Sequence, residues 1–506
     1  MGDDTLTGGA SNDLLQGDAG GDFLAGGTGD DTLLGGDDND RLTGSAGADV
    51  MDGGTDDDLV SYSGKVTVDL AIPSNSTGFA LGDTFAGIEG IGFLNGTGSR
   101  FVGNATSLSV LLLGGSMTAL AGSGAETFVA NSGNMSVSYV NTPVTGVSFS
   151  FVLGQMTGSR GALGDKLEGV SSLTLTGRND VFDATGFNGF RPLPSTILAG
   201  NGSDALVLKH SGVSTIDTGS GNDTVSGQMS SGTLALGSGT DTVNLLVQGI
   251  SDPILFVTAG SGNDNLTIEG LNAALNVQGE AGNDTIVLND LVFLSSHNVD
   301  GGDGNDTITA SGGASVVAGG LDDDSLAVTA MTIVQDVSGG DGNDTIVVSG
   351  PAGSAQGGNG NDDMTFHLFL TGAGTAILDG GAGDDTLTML GEFPFGTSPP
   401  GNGAEFHGGA GNDTLVDMTP LDGANAPFVL TQFVFSTGWG NDTVTGFEDG
   451  ADTIRFDGTA GAGLDEFTDV AISGNATQTL ITFGADTILL SGLDIALFTA
   501  ADVTFA

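Results

Sequence analysis

From Gly8 to Ser61 the chain repeats a nine-residue pattern in which the eighth place is apolar and most others are glycine, aspartate or small polar residues. Counted from Gly8, Gly17, Gly26, Gly35, Gly44 and Gly53, the apolar places are Leu15, Leu24, Leu33, Leu42, Met51 and Val60. The sixth place is Asp every time: Asp13, Asp22, Asp31, Asp40, Asp49 and Asp58. A stretch such as GGTGDDTLL is too glycine-rich for a helix and too acidic for an ordinary strand. Glycines at the first, second and often fourth places let the backbone take positive φ, and the three residues around the apolar one make a short strand. Two units, eighteen residues, then close one coil with a turn on each side. Coils stacked by parallel pairing at about 4.8 Å put the apolar residues in files inside and the aspartates in files along the edges. Solvated hairpin loops are the alternative for glycine-aspartate turns, but loops do not keep strict phase.

The same turn returns from residue 200 at a longer period, in GSGNDTV (219–225), GGDGNDTI (301–308 and 339–346) and GGAGNDTL (408–415). Its aspartates are Asp204, Asp223, Asp241, Asp264, Asp284, Asp306, Asp324, Asp344, Asp362, Asp385, Asp413 and Asp442. Spacing near twenty predicts one such turn per coil, with ions on a single edge while the opposite edge varies. Stretches such as TIVVSG (345–350) read as short buried strands. At about twenty residues per coil the whole chain would form some 25 coils and a rod of roughly 120 Å. Residues 62–200 are looser but duplicated. VSY at 60–62 leads to LGDTFAGIEG, and VSY at 137–139 leads to LGDKLEGV. The chain therefore reads as a nonapeptide block (1–61), a duplicated spacer (62–200), a long-period block (201–415) and a C-terminal region (416–506).

Charge changes the picture. Against 63 Asp and Glu stand 9 Lys and Arg, a formal net charge of -54. Nucleic acid and anionic membrane surfaces would be repelled, and cations are the natural partners. Carboxylates stacked about 5 Å apart repel by roughly 0.8 kcal/mol in water and about 3 kcal/mol at an effective dielectric near 20. Over a dozen contacts that rivals the roughly 5–15 kcal/mol net stability of a domain. Oxygen donors in a flexible turn suit Ca²⁺, whereas Mg²⁺ demands a stricter octahedron. Zinc does not fit a chain with no Cys and with His210, His297, His367 and His407 spread 87, 70 and 40 residues apart. The eighteen aspartates named above are the expected metal ligands, with several Ca²⁺ ions as cofactor. Gly is 91 of 506 residues with no triplet period, which excludes collagen, and 38% hydrophobic content is enough to build a core.

These nonapeptides resemble the calcium-binding repeats of the RTX (repeats-in-toxin) family. The resemblance implies an all-β fold, a parallel β-solenoid (β-roll or β-helix) with Ca²⁺ in the stacked turns. Both copies in 62–200 resemble the spacer between RTX blocks. WGNDTVTGFEDGADTIRFDG (439–458) and LITFGADTILLSGLDIALFTAADVTFA (480–506) resemble the C-terminal end of RTX proteins exported by type I secretion, which implies an uncleaved signal read by that transporter. An apolar strand pair capping the solenoid is the plainer reading of the same segment. The start carries no basic region or apolar run of a cleavable signal peptide, and no stretch has the roughly 18 apolar residues of a membrane span.

Catalytic signatures are missing: neither H-E-x-x-H nor G-x-S-x-G occurs. The N-D-T triplets at Asn222, Asn283, Asn305, Asn343, Asn412 and Asn441 follow from the repeat rather than marking glycosylation. Trp439, the single Trp, is expected to pack in a cap, and Phe393, Pro394, Phe395, Pro399 and Pro400 to form a surface loop. The chain begins inside a repeat, so its first coil has no visible cap, and an uncapped edge invites another copy to stack. The expected function is a secreted, non-enzymatic, calcium-dependent structural protein that self-assembles as a homo-oligomer or polymer into a filament, S-layer or matrix. It would have no membrane insertion, and cell-surface polysaccharide is a possible attachment. The alternatives are a secreted polysaccharide-acting enzyme of epimerase or lyase type, with its site in 62–200 and Lys166, Arg160 or Arg178 as basic contributors, or an adhesin.

Overall fold

A computed structural model of the chain describes residues 2–140, 147–152, 155–160, 162, 165–186, 193–209, 214–248, 254–271, 273–290, 297–312, 315–330, 336–369, 374–392, 403–419, 430–457, 464 and 466–505. His210 and the expected loop at 393–400 lie outside the described residues. Strands make up 63% of the protein, and its parallel stacked coils form a β-solenoid of about 19 turns. That is fewer than the 25 expected from a uniform twenty-residue coil. The step between stacked acidic residues widens to 34 (Asp49 to Asp83) and 39 (Glu126 to Asp165) in the spacer and to 28 and 29 near residue 413. The chain divides into two compact units, Met1–Gly237 and Ser238–Ala506.

The first unit starts with β1 (Thr5–Gly9), β2 (Leu14–Ala19), β3 (Phe23–Gly27), β4 (Thr32–Asp37), β5 (Arg41–Thr43), β6 (Val50–Gly54) and β7 (Leu59–Ser63). Odd strands form one parallel wall and even strands the other, because successive units alternate sides of the coil. The register pairs Leu6 with Leu24, Leu24 with Leu42, and Leu42 with Val60; on the other wall Leu15 meets Leu33 and Leu33 meets Met51. All six eighth-place residues are buried, and between them they are the core of these coils. The turns depend on glycine: at Gly36 φ is 129°, and a Cβ there would stand 1.8 Å from the carbonyl oxygen of Asp18 one coil away.

The solenoid continues through the spacer. Gly90–Leu94 pairs in parallel with β7 on one side and with Ser109–Leu120 on the other, and Ser109–Leu120 pairs with Thr127–Ser138. Its core is aromatic: Phe93, Phe101, Phe128, Phe149 and Phe182 are fully buried. One departure from the parallel rule is the antiparallel hairpin of Val147–Val152 with Gln155–Arg160.

In the second unit each coil has two strands. One apolar file runs Val243, Leu266, Ile286, Ile308, Leu326, Ile346, Met364, Leu387, Leu415, Val444 and Leu490, each paired with the next in register. The facing wall contributes a second file that includes Val257, Val277, Val299, Val317, Val337, Leu378, Phe406 and Phe433. Continuous apolar files of this kind are what keeps a repeat array cooperative, since each coil buries its side chains only against its neighbours. The C-terminal region closes the unit with an antiparallel pair, Ala471–Asn475 and Gln478–Phe483. Trp439 is buried there against Phe456, with ring centroids 5.4 Å apart, and against Phe435 and Phe483.

Candidate metal centre

Of the eighteen predicted ligands all but Asp13 are buried, and Asp13 is half-buried. They form four runs. Asp13, Asp31 and Asp49 stack on one edge of the first coils, and Asp22, Asp40 and Asp58 on the other. Asp204 and Asp223 stack in the first unit, and Asp241 to Asp442 form a single run in the second. Two edges of carboxylates at the short period and one at the long period match the expected geometry.

One stacking bond recurs along the runs. The backbone N–H of a turn aspartate donates to Oδ1 of the equivalent aspartate one coil on: Asp22 to Asp40 at 2.7 Å, Asp306 to Asp324 at 2.7 Å. At the end of its run Asp58 N donates instead to Glu89 Oε2, at 2.9 Å. The Asp22 carbonyl accepts from Arg41 N at 2.8 Å, and that of Asp306 from Ser325 N at 2.8 Å. Oδ1 of Asp22 accepts from Asp4 N, and that of Asp306 from Asp284 N. Three of the four polar groups of each aspartate are thus committed to neighbouring coils.

The fourth is not. Among the described residues Oδ2 of Asp13, Asp22, Asp31, Asp40, Asp58, Asp204, Asp264, Asp284, Asp306, Asp324, Asp344, Asp362, Asp385, Asp413 and Asp442 is buried and accepts no hydrogen bond. A buried ionised oxygen without a partner is costly. A second oxygen converges on the same space: a Cβ on Gly17 would fall 2.1 Å from Asp22 Oδ2 and 2.7 Å from the Gly35 carbonyl oxygen. At Gly301 the corresponding distances are 2.2 Å to Asp306 Oδ2 and 2.5 Å to the Gly319 carbonyl oxygen. At these turns the bare Cα of the first-place glycine leaves room for two oxygens, whereas Asp204 and Asp264 have Ala199 and Ala259 at that place. Loss of hydration raises the carboxyls of the long-period runs above the ordinary aspartate value of 3.8, to about 6 for Asp284, Asp306, Asp344, Asp362, Asp385 and Asp413, about 7 for Asp324 and about 8 for Asp204 and Asp442. An oxygen-only donor set of carboxylate and carbonyl fits a hard cation such as Ca²⁺. No three His, Asp or Glu side chains converge among the described residues; each turn supplies one carboxylate and backbone oxygens instead.

The residues before the buried aspartates form a second, exposed ladder. Asn343 N donates to Asp323 Oδ1, Asn361 N to Asn343 Oδ1, Asp384 N to Asn361 Oδ1, Asn412 N to Asp384 Oδ1 and Asn441 N to Asn412 Oδ1. It runs opposite to the buried one, each coil donating back to the coil before. The asparagines of the N-D-T triplets thus have a structural task that the repeat pattern alone did not reveal.

Asp83, Asp165 and Asp180 also stand in aspartate stacks, and the sequence reading missed all three. Asp49 N donates to Asp83 Oδ1 at 2.9 Å, Glu126 N to Asp165 Oδ1 at 2.8 Å, and Asp180 N to Asp204 Oδ1 at 2.7 Å. Their other oxygens are satisfied by protein. Tyr62 Oη donates to Asp83 Oδ2 at 2.6 Å, Tyr139 Oη to Asp165 Oδ2 at 2.7 Å, and Thr176 N to Asp180 Oδ2 at 2.8 Å. The duplicated VSY and LGD motifs were the available signal: their Tyr and Asp are the bonded pair in each copy.

The basic residues proposed for a catalytic groove do not assemble one. Lys166 and Arg178 are exposed, and the Arg160 side chain lies outside the described residues. A cleft of the spacer does bring Asp69 and Arg100 to its lining. Asp69 is however held in its own turn, with Oδ1 accepting from Ile72 N at 2.7 Å and Oδ2 from Asn75 Nδ2 at 3.3 Å.

The RTX calcium-binding nonapeptide repeat (4 copies) matches residues 1–33, 26–60, 211–243, 299–327, 370–388 and 405–416. Asp204, Asp264, Asp284, Asp344, Asp362 and Asp442 fall outside those segments, although their bonds are the same. No curated protein matches the sequence. Among solved structures, the crystal structure of extracellular lipase LipA from Serratia marcescens is similar at 16% identity over 53% of this chain and 45% of that one, with a TM-score of 0.22. The match spans less than half of the lipase, and the overlap is too slight to bear on activity. No helix among the described residues is long and apolar enough to cross a membrane. The chain thus carries RTX calcium-binding nonapeptide repeats on the coils of a β-solenoid.

Proposed function

We propose that this chain is a secreted structural protein that folds on Ca²⁺ and assembles outside the cell into a filament, sheet or matrix. The observation that carries the reading is the run of buried Oδ2 atoms, many of which converge with a glycine carbonyl oxygen on the hollow beside a first-place glycine. Asp22 with Gly35, and Asp306 with Gly319, are the kind of pair that would hold an ion. When bound, calcium supplies the positive charge that the acidic edges lack. The chain itself supplies the stack, through the N–H to Oδ1 bonds, and excludes water from it.

Binding free energy adds to folding, so low cytosolic Ca²⁺ would leave the chain loose and fit for export, and higher extracellular Ca²⁺ would complete it. Export would use a type I transporter reading the C-terminal segment. Assembly is supported by the outward strand face at Ile254 and Phe256, which point the same way and each stay 48% exposed. A non-enzymatic role is supported by the commitment of Asp83, Asp165 and Asp69 to Tyr and turn groups. Cell-surface polysaccharide is a suitable attachment for so acidic a protein, whereas nucleic acid would be repelled.

Negative-stain microscopy of the purified protein in calcium, set beside circular dichroism with and without EDTA, tests both halves. Polymers in calcium that disperse in chelator, with loss of β-signal, are expected. Assembly that persists in excess chelator, or a chain fully β-structured without calcium, would reject the reading.

A further inference from the structure

We propose that Tyr62 and Tyr139 interrupt the cation files: each phenolic hydroxyl occupies the carboxylate oxygen that elsewhere faces an ion, so Asp83 and Asp165 stand in the aspartate stack without binding calcium. The inference rests on the calcium reading above.

Register places Tyr62 where the turn glycine belongs. Arg41, Leu42 and Thr43 pair with Leu59, Val60 and Ser61, so the next residues, Gly44 and Tyr62, stand in line with Gly8 and Gly26. At Gly8 and Gly26 a Cβ would meet the Oδ2 of Asp13 and Asp31, at 2.7 and 2.3 Å. At Gly44 it would instead meet the ring of Tyr62, 2.0 Å from Cε1. The ring fills the hollow that glycine leaves open for oxygen, and its hydroxyl reaches Asp83 Oδ2 at 2.6 Å. The carboxylate of the coil before is turned to protein as well, Asp49 Oδ2 accepting from Ser45 N at 3.4 Å.

The second copy repeats the device with different spacing. Tyr62 and Asp83 are 21 residues apart, Tyr139 and Asp165 26, yet the bond is the same. Both phenols are fully buried, and Tyr139 is wedged edge-on against Phe149 at 5.2 Å. A buried O–H must find an acceptor, and here it finds the one oxygen that the stacking ladder leaves over. The spacer thus needs no ion at either tyrosine, and the calcium-loaded coils on its two sides are separate stretches of ligand.

Bound calcium per chain, measured by flow dialysis on the full-length protein, distinguishes the cases. Asp83→Asn and Asp165→Asn should keep the wild-type count, while Asp31→Asn should lose at least one ion. A loss in either spacer variant equal to that in Asp31→Asn overturns the proposal. A wild-type count of zero overturns the calcium reading and the proposal with it. A second measurement needs no variant. The chain has only 2 Tyr, so the tyrosine Fermi doublet in the Raman spectrum of the calcium-saturated protein reports on this pair alone. Strong hydrogen-bond donors are expected, and a spectrum of non-donating phenols overturns the assignment.

Discussion

The turns of residues 1–61 and those of the spacer bury the same residue in the same way and treat its last oxygen differently. Asp22 and Asp31 receive a backbone N–H on Oδ1 and nothing on Oδ2; Asp83 and Asp165 receive the same N–H and then a tyrosine hydroxyl. Stacking and cation demand are therefore separable. The ladder of N–H to Oδ1 bonds builds the coil whatever follows, and the group opposite Oδ2 decides whether a positive charge is needed. A donor on the second oxygen satisfies it locally; without one, the buried charge must find a cation or a proton.

The largest expected effect that would break this comparison is the removal of calcium. Hydrogen exchange in chelator should show the amides of Asp22, Asp31, Asp284 and Asp306 exchanging about 100-fold faster than in calcium, with smaller changes at Asp49 and Glu126, which donate to the tyrosine-held carboxylates. Equal loss everywhere would mean that the tyrosines do not substitute for ions.

Acid should partly replace calcium. Burial raises the carboxyls of Asp204, Asp284, Asp306, Asp324 and Asp442, so each contributes stability that is fully present below the unfolded value of 3.8 and is lost as pH rises through about 6 for Asp284 and Asp306, about 7 for Asp324 and about 8 for Asp204 and Asp442. In chelator the thermal midpoint should fall by roughly 10 °C or more between pH 5 and pH 8.5, and in saturating calcium it should hardly move.

Next in size is a pair of isosteric substitutions. Asp306→Asn keeps the Oδ1 acceptor and removes the charge, so in chelator at pH 8 it should stabilise the fold by about 1–3 kcal/mol while weakening calcium binding. Tyr62→Phe removes the donor to Asp83 and should destabilise by about 1–3 kcal/mol with or without calcium. Urea titrations of both variants in the two buffers give the four numbers. The smallest effect belongs to the exposed ladder: Asn343→Ala should cost about 0.5–1.5 kcal/mol, independent of calcium.

Much of this was legible in the sequence because a nine-residue phase ties the apolar place to the acidic one. Leu33 and Asp31 identify wall and edge together, and every predicted apolar file and aspartate run is present. The spacer was less legible. Its coil steps are long and irregular, so Asp83 and Asp165 lie 34 and 39 residues from their partners and no period announces them. What a period cannot carry is the identity of the group facing Oδ2, which depends on which side chain a distant loop delivers. The second ladder was overlooked for a different reason. Asn343 and Asp384 differ in charge, and only the shared direction of their bonds makes them one series.

The buried ladder has a direction. Each coil offers an amide to one side and a carboxylate to the other, as a plug and a socket. A contact between molecules that continued this ladder would run head to tail, and one that did not return on itself would give a fibre with two unlike ends rather than a closed pair.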